Sequence, residues 1–325
     1  MNLEPLTRTL GRLDALRPTW EDFPERDACF AELAGFLESH IRPGQPFDLK
    51  AIHPNPLWML LEDRLSTALS AWSKVTPGPG GVGCIRQWYS SGVIIDRAGV
   101  RLGFDVIPLL RAYDWPDRQD LTGRLADTLD ALLITHRHLD HYDADLVRAC
   151  LARGKPVYLP ETVACQWQPQ ELLHAVHDGD EWIVGDLQLS AHVGPHIWRD
   201  TVEELPVCIY SVVGADDQAV VYGGDADYTR LPDLRLDVPV QLYFLPWRAP
   251  NAAYESGHEL QTGTLRDAFD RLIQRIQPRA VLFQHCAELE HVHDGFPASF
   301  DLALDLKQAS PVPAELLFWG ETIAP

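Results

Sequence analysis

Thr135-His136-Arg137-His138-Leu139-Asp140-His141 places four cation-binding side chains within six consecutive residues. In an extended loop His136 and His138, at i and i+2, share a face and can meet one cation. Asp140 and His141, at a turn, can swing toward a second. Imidazole nitrogen with carboxylate oxygen is a donor set suited to zinc or a comparable first-row ion. At this histidine content, chance produces the four-residue pattern in roughly one chain of several hundred. Arg137, between the donors, is expected to point outward to an ion pair, and Tyr142 to pack, with its hydroxyl approaching a substrate as the alternative.

The surrounding pattern must hold this loop. Ala131 to Thr135 reads as a strand running into the histidines, and Ala144 to Arg153 as the helix leaving them, with Asp143 as N-cap and Gly154 as stop. The cluster thus falls at the carboxyl end of a strand, where α/β proteins commonly place ligands. Short strands precede it at Cys84 to Tyr89, Gly92 to Asp96 and Val100 to Asp105, and Pro156 to Pro160 follows. Trp182 to Leu189 reads as a hairpin turning at Gly185-Asp186, with its second strand running toward His192 and His196. A second hairpin, Val207 to Val213 with Gln218 to Tyr222, delivers Gly223-Gly224-Asp225. A helix over Leu265 to Gln277 leads to a strand over Ala280 to Phe283 and then to Gln284-His285, and a last strand is expected at Glu315 to Trp319.

The first part of the chain reads differently. Leu3, Leu6, Leu10 and Leu13, then Phe30, Leu33, Phe36 and Leu37, follow helical spacing, and a third helix is expected from Pro56 to Trp72. Thr76-Pro77-Gly78-Pro79-Gly80-Gly81 breaks that pattern. The expected organisation is a helical N-terminal extension over 1–80 and a catalytic domain over 81–325.

The chain has 325 residues, 46% hydrophobic and 23% charged, with a formal net charge of -20. That is ordinary globular composition. The negative balance argues against extended nucleic acid as a partner, since no basic face exists to release counterions. A small-molecule substrate, including an anionic one, stays open because divalent cations set the potential of their own pocket. Cys29, Cys84, Cys150, Cys165, Cys208 and Cys286 are widely spaced and form no CxxC pair, so buried reduced thiols are expected. Neither a signal-like start nor a stretch of about 18 apolar residues occurs. The expectation is a soluble cytoplasmic protein with no membrane span, and a homo-oligomer is compatible with it.

Residues 84–320 resemble the metallo-β-lactamase-fold hydrolases, particularly the branch with ascorbate-phosphate lactonase-like and N-acylethanolamine phospholipase D-like proteins. Four segments carry the resemblance in the family's order: His136-x-His138-x-Asp140-His141; Asp178-Gly179-Asp180 with the hairpin and His196; Tyr222-Gly223-Gly224-Asp225; and Val281-Leu282-Phe283-Gln284-His285. The resemblance implies an α+β fold, a four-layer αβ/βα sandwich, and two divalent metal ions per chain, zinc first and Mn2+ or Fe2+ as alternatives. It assigns His136, His138 and His196 to one metal, Asp140, His141 and His285 to the other, and Asp225 to the bridge between them. A carboxylate between two dications offsets their repulsion, and a bridging hydroxide is the implied nucleophile for a phosphodiester, lactone or related ester. Asp140 is thereby a catalytic as well as a metal residue.

Alternatives remain at several positions. His192 competes with His196, which follows Gly194-Pro195 at the strand end, and Asp227 competes with Asp225. His258 matches a place where the branch often carries a histidine close to substrate, and is the candidate proton donor or substrate contact, with a surface histidine as the plain alternative. Trp198-Arg199 and Trp247-Arg248 could line a pocket and bind an anionic group, with core-edge packing beside a surface ion pair as the favoured reading of each. His291-Val292-His293-Asp294 is read as a solvated loop. Trp88-Tyr89-Ser90-Ser91-Gly92 and Cys286-Ala287-Glu288 depart from the family's usual Gly-His and aromatic-Gly-Thr, and Ala226-Asp227 from its Thr-Gly; these departures leave the substrate open. Two other functions stay in view: an iron-dependent dioxygenase or oxidoreductase on the same fold, and a non-catalytic binding protein stabilised by its metals. Di-iron oxidoreductase members usually carry a Glu where His138 stands.

Overall fold

A computed structural model describes residues 2–21, 23–51, 54–76, 78, 82–109, 116–197, 205–228, 234, 236–247, 262–296, 298 and 300–324. Three helices open the chain: α1 (Glu4–Ala15), α2 (Pro24–His40) and α3 (Pro56–Trp72). Proline in the first turn of each fits, because the missing N–H is one that a helix start leaves unbonded. Asn55 caps α3 by accepting from Leu57 N at 3.0 Å.

The first sheet contains β1 (Val82–Gln87), β2 (Val93–Arg97), β3 (Val100–Phe104), β4 (Ala131–Leu133), β5 (Val157–Pro160), β6 (Leu173–Val176) and the C-terminal β14 (Thr322–Ile323). Its order is β14-β1-β2-β3-β4-β5-β6, with β1 to β3 an antiparallel meander and β3 to β6 parallel. The second contains β7 (Glu181–Val184), β8 (Leu187–Pro195), β9 (Pro206–Val213), β10 (Ala219–Tyr222), β11 (Val240–Pro246), β12 (Ala280–Gln284) and β13 (Ala314–Leu316), each paired with the next. Here β7 to β10 are antiparallel and β10 to β13 parallel. Val184 pairs with Leu187, so the first hairpin turns on Gly185-Asp186 as its sequence requires.

Side-chain alternation sorts the strands into layers. Val93 and Ile95 of β2, Ala131 and Leu133 of β4, and Cys208, Tyr210 and Val212 of β9 meet in an apolar layer between the sheets. Ile94, Leu132, Val207 and Ile209, one residue out of phase, join the layer that holds the helices. Those helices are α4 (Leu121–Thr128), α5 (Ala144–Ala152), the single turn α6 (Glu161–Ala164), α7 (Thr262–Ile276), α8 (Leu289–His293) and α9 (Phe300–Ala309). The result is the expected four-layer α+β sandwich. Asp143 caps α5 by accepting from Leu146 N at 2.7 Å, and Gly154 at φ 70° ends the turn beyond it.

Sequence periodicity passed over α4, β6, β11 and α9, and the last strand is shorter than expected and followed by β14. His291 to His293 close α8 and are not a solvated loop, because His293 is buried against Asp48, Nε2 to Oδ1 at 3.3 Å. Of the cysteines, Cys165 is exposed while Cys84 is half-buried and the other four are buried; all are free thiols. No helix among the described residues is long and apolar enough to cross a membrane.

Helices α1 to α3 share an apolar layer with Trp88, Phe318 and Trp319. Arg26 of α2 is fully buried and pairs with Glu321, each guanidinium NH2 group 2.9 Å from a carboxylate oxygen. Lys307 of α9 joins Asp27 at 2.7 Å and Glu315 at 3.2 Å. Arg26→Ala strands a buried carboxylate, and the expected loss is about 3–5 kcal/mol of unfolding free energy, measured by urea denaturation.

Candidate metal centre

Four strand ends converge on one point. His136 follows β4, His196 follows β8, Asp225 follows β10 and His285 follows β12. All four residues are buried, although imidazole and carboxylate groups are costly to take from water. His136, His138, His196 and Asp225 offer donor atoms within 4.8 Å of one another, and so do His141, Asp225 and His285. Asp225 belongs to both groups.

The pairwise distances suit cations. His196 Nε2 lies 3.4 Å from Asp225 Oδ2, His285 Nε2 3.0 Å from Asp225 Oδ1 and 3.4 Å from Asp140 Oδ2, and His141 Nε2 3.4 Å from Asp140 Oδ2. Metal–donor bonds of 2.0–2.1 Å in a tetrahedron place donors roughly 3.3 Å apart. His141 Nε2 and His285 Nε2 face each other at 3.0 Å.

Hydrogen bonds fix which ring nitrogen faces inward. The Asp105 carboxylate, at the end of β3, accepts from Thr135 N at 2.7 Å and from the Thr135 hydroxyl at 2.6 Å. That hydroxyl has spent its proton, so at 3.0 Å it accepts from His136 Nδ1. His136 Nε2 is then a bare lone pair, buried and without a hydrogen-bond partner among the described residues. A cation at that atom answers an otherwise unexplained cost. Asp105 also accepts from His141 Nδ1 at 2.7 Å, which turns His141 Nε2 toward His285. The residues present fit a pair of divalent cations.

Backbone constraints explain the Gly-Gly before Asp225. Gly224 has φ 51°, and a Cβ there would lie 2.7 Å from Thr135 Cγ2 and Oγ1. Only glycine lets the Asp225 loop seat against the histidine loop. Ile197 N donates to Asp225 O at 2.8 Å and Asp227 N to Pro195 O at 2.8 Å, tying the His196 and Asp225 loops together.

Charge follows from this packing. Burial pushes His136 well below the ordinary histidine range, helped by the charge of His141, and burial with neighbouring His196 takes His138 down to about 4. For His141, burial works downward, but the carboxylates of Asp140, Asp225 and Asp105 outweigh it and hold the ring well above its ordinary value. Burial alone would raise Asp140, yet His141 overrides it and brings the carboxyl to about 2.

The structure brings His136, His138, Asp140, His141, His196, Asp225 and His285 together, whereas His192 sits half-buried within β8 outside both clusters. Asp227 is buried beside the site but in neither cluster. Arg137 and Leu139 point outward, and Tyr142 packs, its hydroxyl accepting from Trp167 Nε1 at 3.1 Å. His258, Trp198, Arg199 and Arg248 lie outside the described residues; Trp247 is buried, its indole N–H donating to His285 O. Sequence reading missed Asp105, Ser90 and Glu288. Asp105 was discoverable as a carboxylate closing an apolar strand; Glu288 stands three residues past His285.

The model of the β-lactamase superfamily domain matches residues 103–286. The chain belongs to that superfamily. Among solved structures, isothiocyanate hydrolase from Delia radicum gut bacteria is 14% identical, with TM-score 0.51, over 74% of this chain and 98% of its own. A protein from Veillonella parvula described as a possible metal-dependent hydrolase is 13% identical, with TM-score 0.51, over 75% and 99%. At these identities the likeness is one of fold. No curated protein matches the sequence.

Asp105→Asn keeps the side chain's shape but offers one carbonyl oxygen to the donors that Asp105 holds. The expected outcome for this superfamily member is a loss of roughly 10–100-fold in affinity for a divalent cation, read by competition with a chelator.

Proposed function

We propose that this chain is a binuclear metal-dependent hydrolase of small molecules, cleaving a phosphodiester, lactone or related ester. The observation that carries the reading is the Asp225 carboxylate, which serves both donor clusters at once. His136, His138 and His196 would hold one divalent cation, zinc first, and Asp140, His141 and His285 the other. When bound, the pair supplies an acidified water as nucleophile and Lewis-acid polarisation of the carbonyl or phosphoryl oxygen. The chain's own residues keep the donors turned inward: Asp105 sets the rings of His136 and His141, and Gly224 admits the Asp225 loop. Two dications beside Asp140 and Asp225 leave a local positive excess that favours an anionic substrate despite the overall charge of -20.

Elemental analysis of protein purified without added metal is expected to find about two zinc, manganese or iron ions per chain. Turnover across diester, ester and lactone panels should then depend on them. A metal-free protein that takes up no divalent ion would sink the reading.

A further inference from the structure

Beyond β12 the chain makes a constrained turn. His285 has φ 68° and Ala287 φ 60°, a left-handed conformation that non-glycine residues keep only when surrounding contacts demand it. Ala287 N donates to Ala298 O at 2.8 Å, and the turn runs into α8. At its end stands Glu288, 3% exposed. One of its oxygens, Oε2, meets His285 Nδ1 at 2.6 Å and also meets His291 Nδ1, while the Ser90 hydroxyl donates to Oε1.

We propose that Glu288 is a positioning residue for His285, fixing its ring and tautomer so that Nε2 presents a lone pair to a divalent cation. The proposal rests on the two-metal reading above. Glu288 meets the ring on Nδ1, and Nε2 is the atom that lies 3.0 Å from Asp225 Oδ1 and 3.4 Å from Asp140 Oδ2. Although Asp140, His285, Glu288 and His291 gather within 4.8 Å, Glu288 is spent on the far nitrogen and holds the ring without joining the donors. Asp105 stands in the same relation to His141, so both rings of the second cluster carry a buried carboxylate on Nδ1. A group on the outer nitrogen of a ligating histidine fixes its ring orientation and tautomer.

Glu288 is itself braced. Leu289 N donates to Tyr89 OH at 3.3 Å, and that hydroxyl donates to Glu290. From the N-terminal region, Asp48 pairs with His293, and Glu38 accepts from Ala298 N at 2.8 Å. The segment around α2 thereby steadies the turn that carries His285.

The test is zinc titration of the chelator-stripped full chain against a chromophoric competitor. Wild type should bind two equivalents. In Glu288→Ala one equivalent is expected to weaken roughly 10–100-fold while the other stays within about threefold. Glu288→Gln, whose amide oxygen can occupy the same place beside Nδ1, should remain near wild type. Glu288→Asp keeps the charge but is one methylene too short, and should follow Glu288→Ala. Two full-affinity equivalents in Glu288→Ala, or Glu288→Asp matching wild type while Glu288→Gln loses an equivalent, would overturn the assignment. The Gln and Asp pair decides the matter even if Glu288→Ala does not fold. Wild-type protein that binds no zinc removes the two-metal reading and this assignment with it, whereas intact binding in wild type and Glu288→Ala alike removes only the latter.

Discussion

Asp225→Ala is expected to leave the chain unable to hold a cation pair. The carboxylate lies between His196 and His285, one oxygen 3.4 Å from the first and the other 3.0 Å from the second. Alanine removes a donor from each cluster in one step and also removes the anion that offsets repulsion between two dications. Loss of an outer partner alone costs roughly 10–100-fold in affinity, so loss of the shared donor should weaken at least one equivalent by more than about 100-fold. Bound metal should fall to about one ion per chain or fewer, by elemental analysis after gel filtration. Ester or diester turnover should fall by at least about 100-fold, the scale of removing one preorganised transition-state contact. Two tightly held ions in Asp225→Ala would refute the bridging role. In the wild-type chain, burial would raise Asp225, but His285 and His141 pull it well below the ordinary carboxylate range. The alanine variant therefore also loses one of the counter-charges that hold His141, second to Asp140.

How much of this was readable beforehand depended on the range of the interaction. His136 to His141 lie in one local run, so type and spacing exposed them. Their flanking elements obeyed local rules as well, the Asp143 cap and the Gly185-Asp186 turn among them. His196, Asp225 and His285 needed the family resemblance, because each is a single residue at a strand end and nothing nearby marks it. β11 escaped notice because Val240 to Pro246 is buried among parallel neighbours and lacks polar alternation. Asp105 and Glu288 have meaning only through partners far along the chain: His141 is 36 residues from Asp105, and Ser90 is 198 from Glu288. His293 looked solvent-bound for the same reason, its partner Asp48 standing 245 residues away. The carboxylates that orient the rings were thus the least legible part of the site.

Those orienting carboxylates also set how metal loading should depend on pH. Asp140, Asp225 and Asp105 hold His141 well above the ordinary histidine range, so in the metal-free chain this ring carries a proton at neutral pH. A cation must displace it. His138 at about 4 and His136, held well below normal, are already neutral there and contribute nothing until the solution is distinctly acidic. Full loading at pH 7 is therefore expected to release at least about one proton from His141, detectable by calorimetry in buffers of different ionisation enthalpy. The same ring sets the stability difference between metal-loaded and metal-free protein. A raised folded value contributes stability that is complete below the unfolded value of about 6.5 and is lost as pH rises through the folded one. The metal-free chain should thus weaken above roughly pH 6.5 by as much as about 1.4 kcal/mol per pH unit, while the loaded chain, with His141 already deprotonated, lacks this loss. The gap in melting temperature between the two forms should widen from pH 6.5 to 8. A gap that stays constant or narrows over that range would show that His141 does not carry the displaced proton.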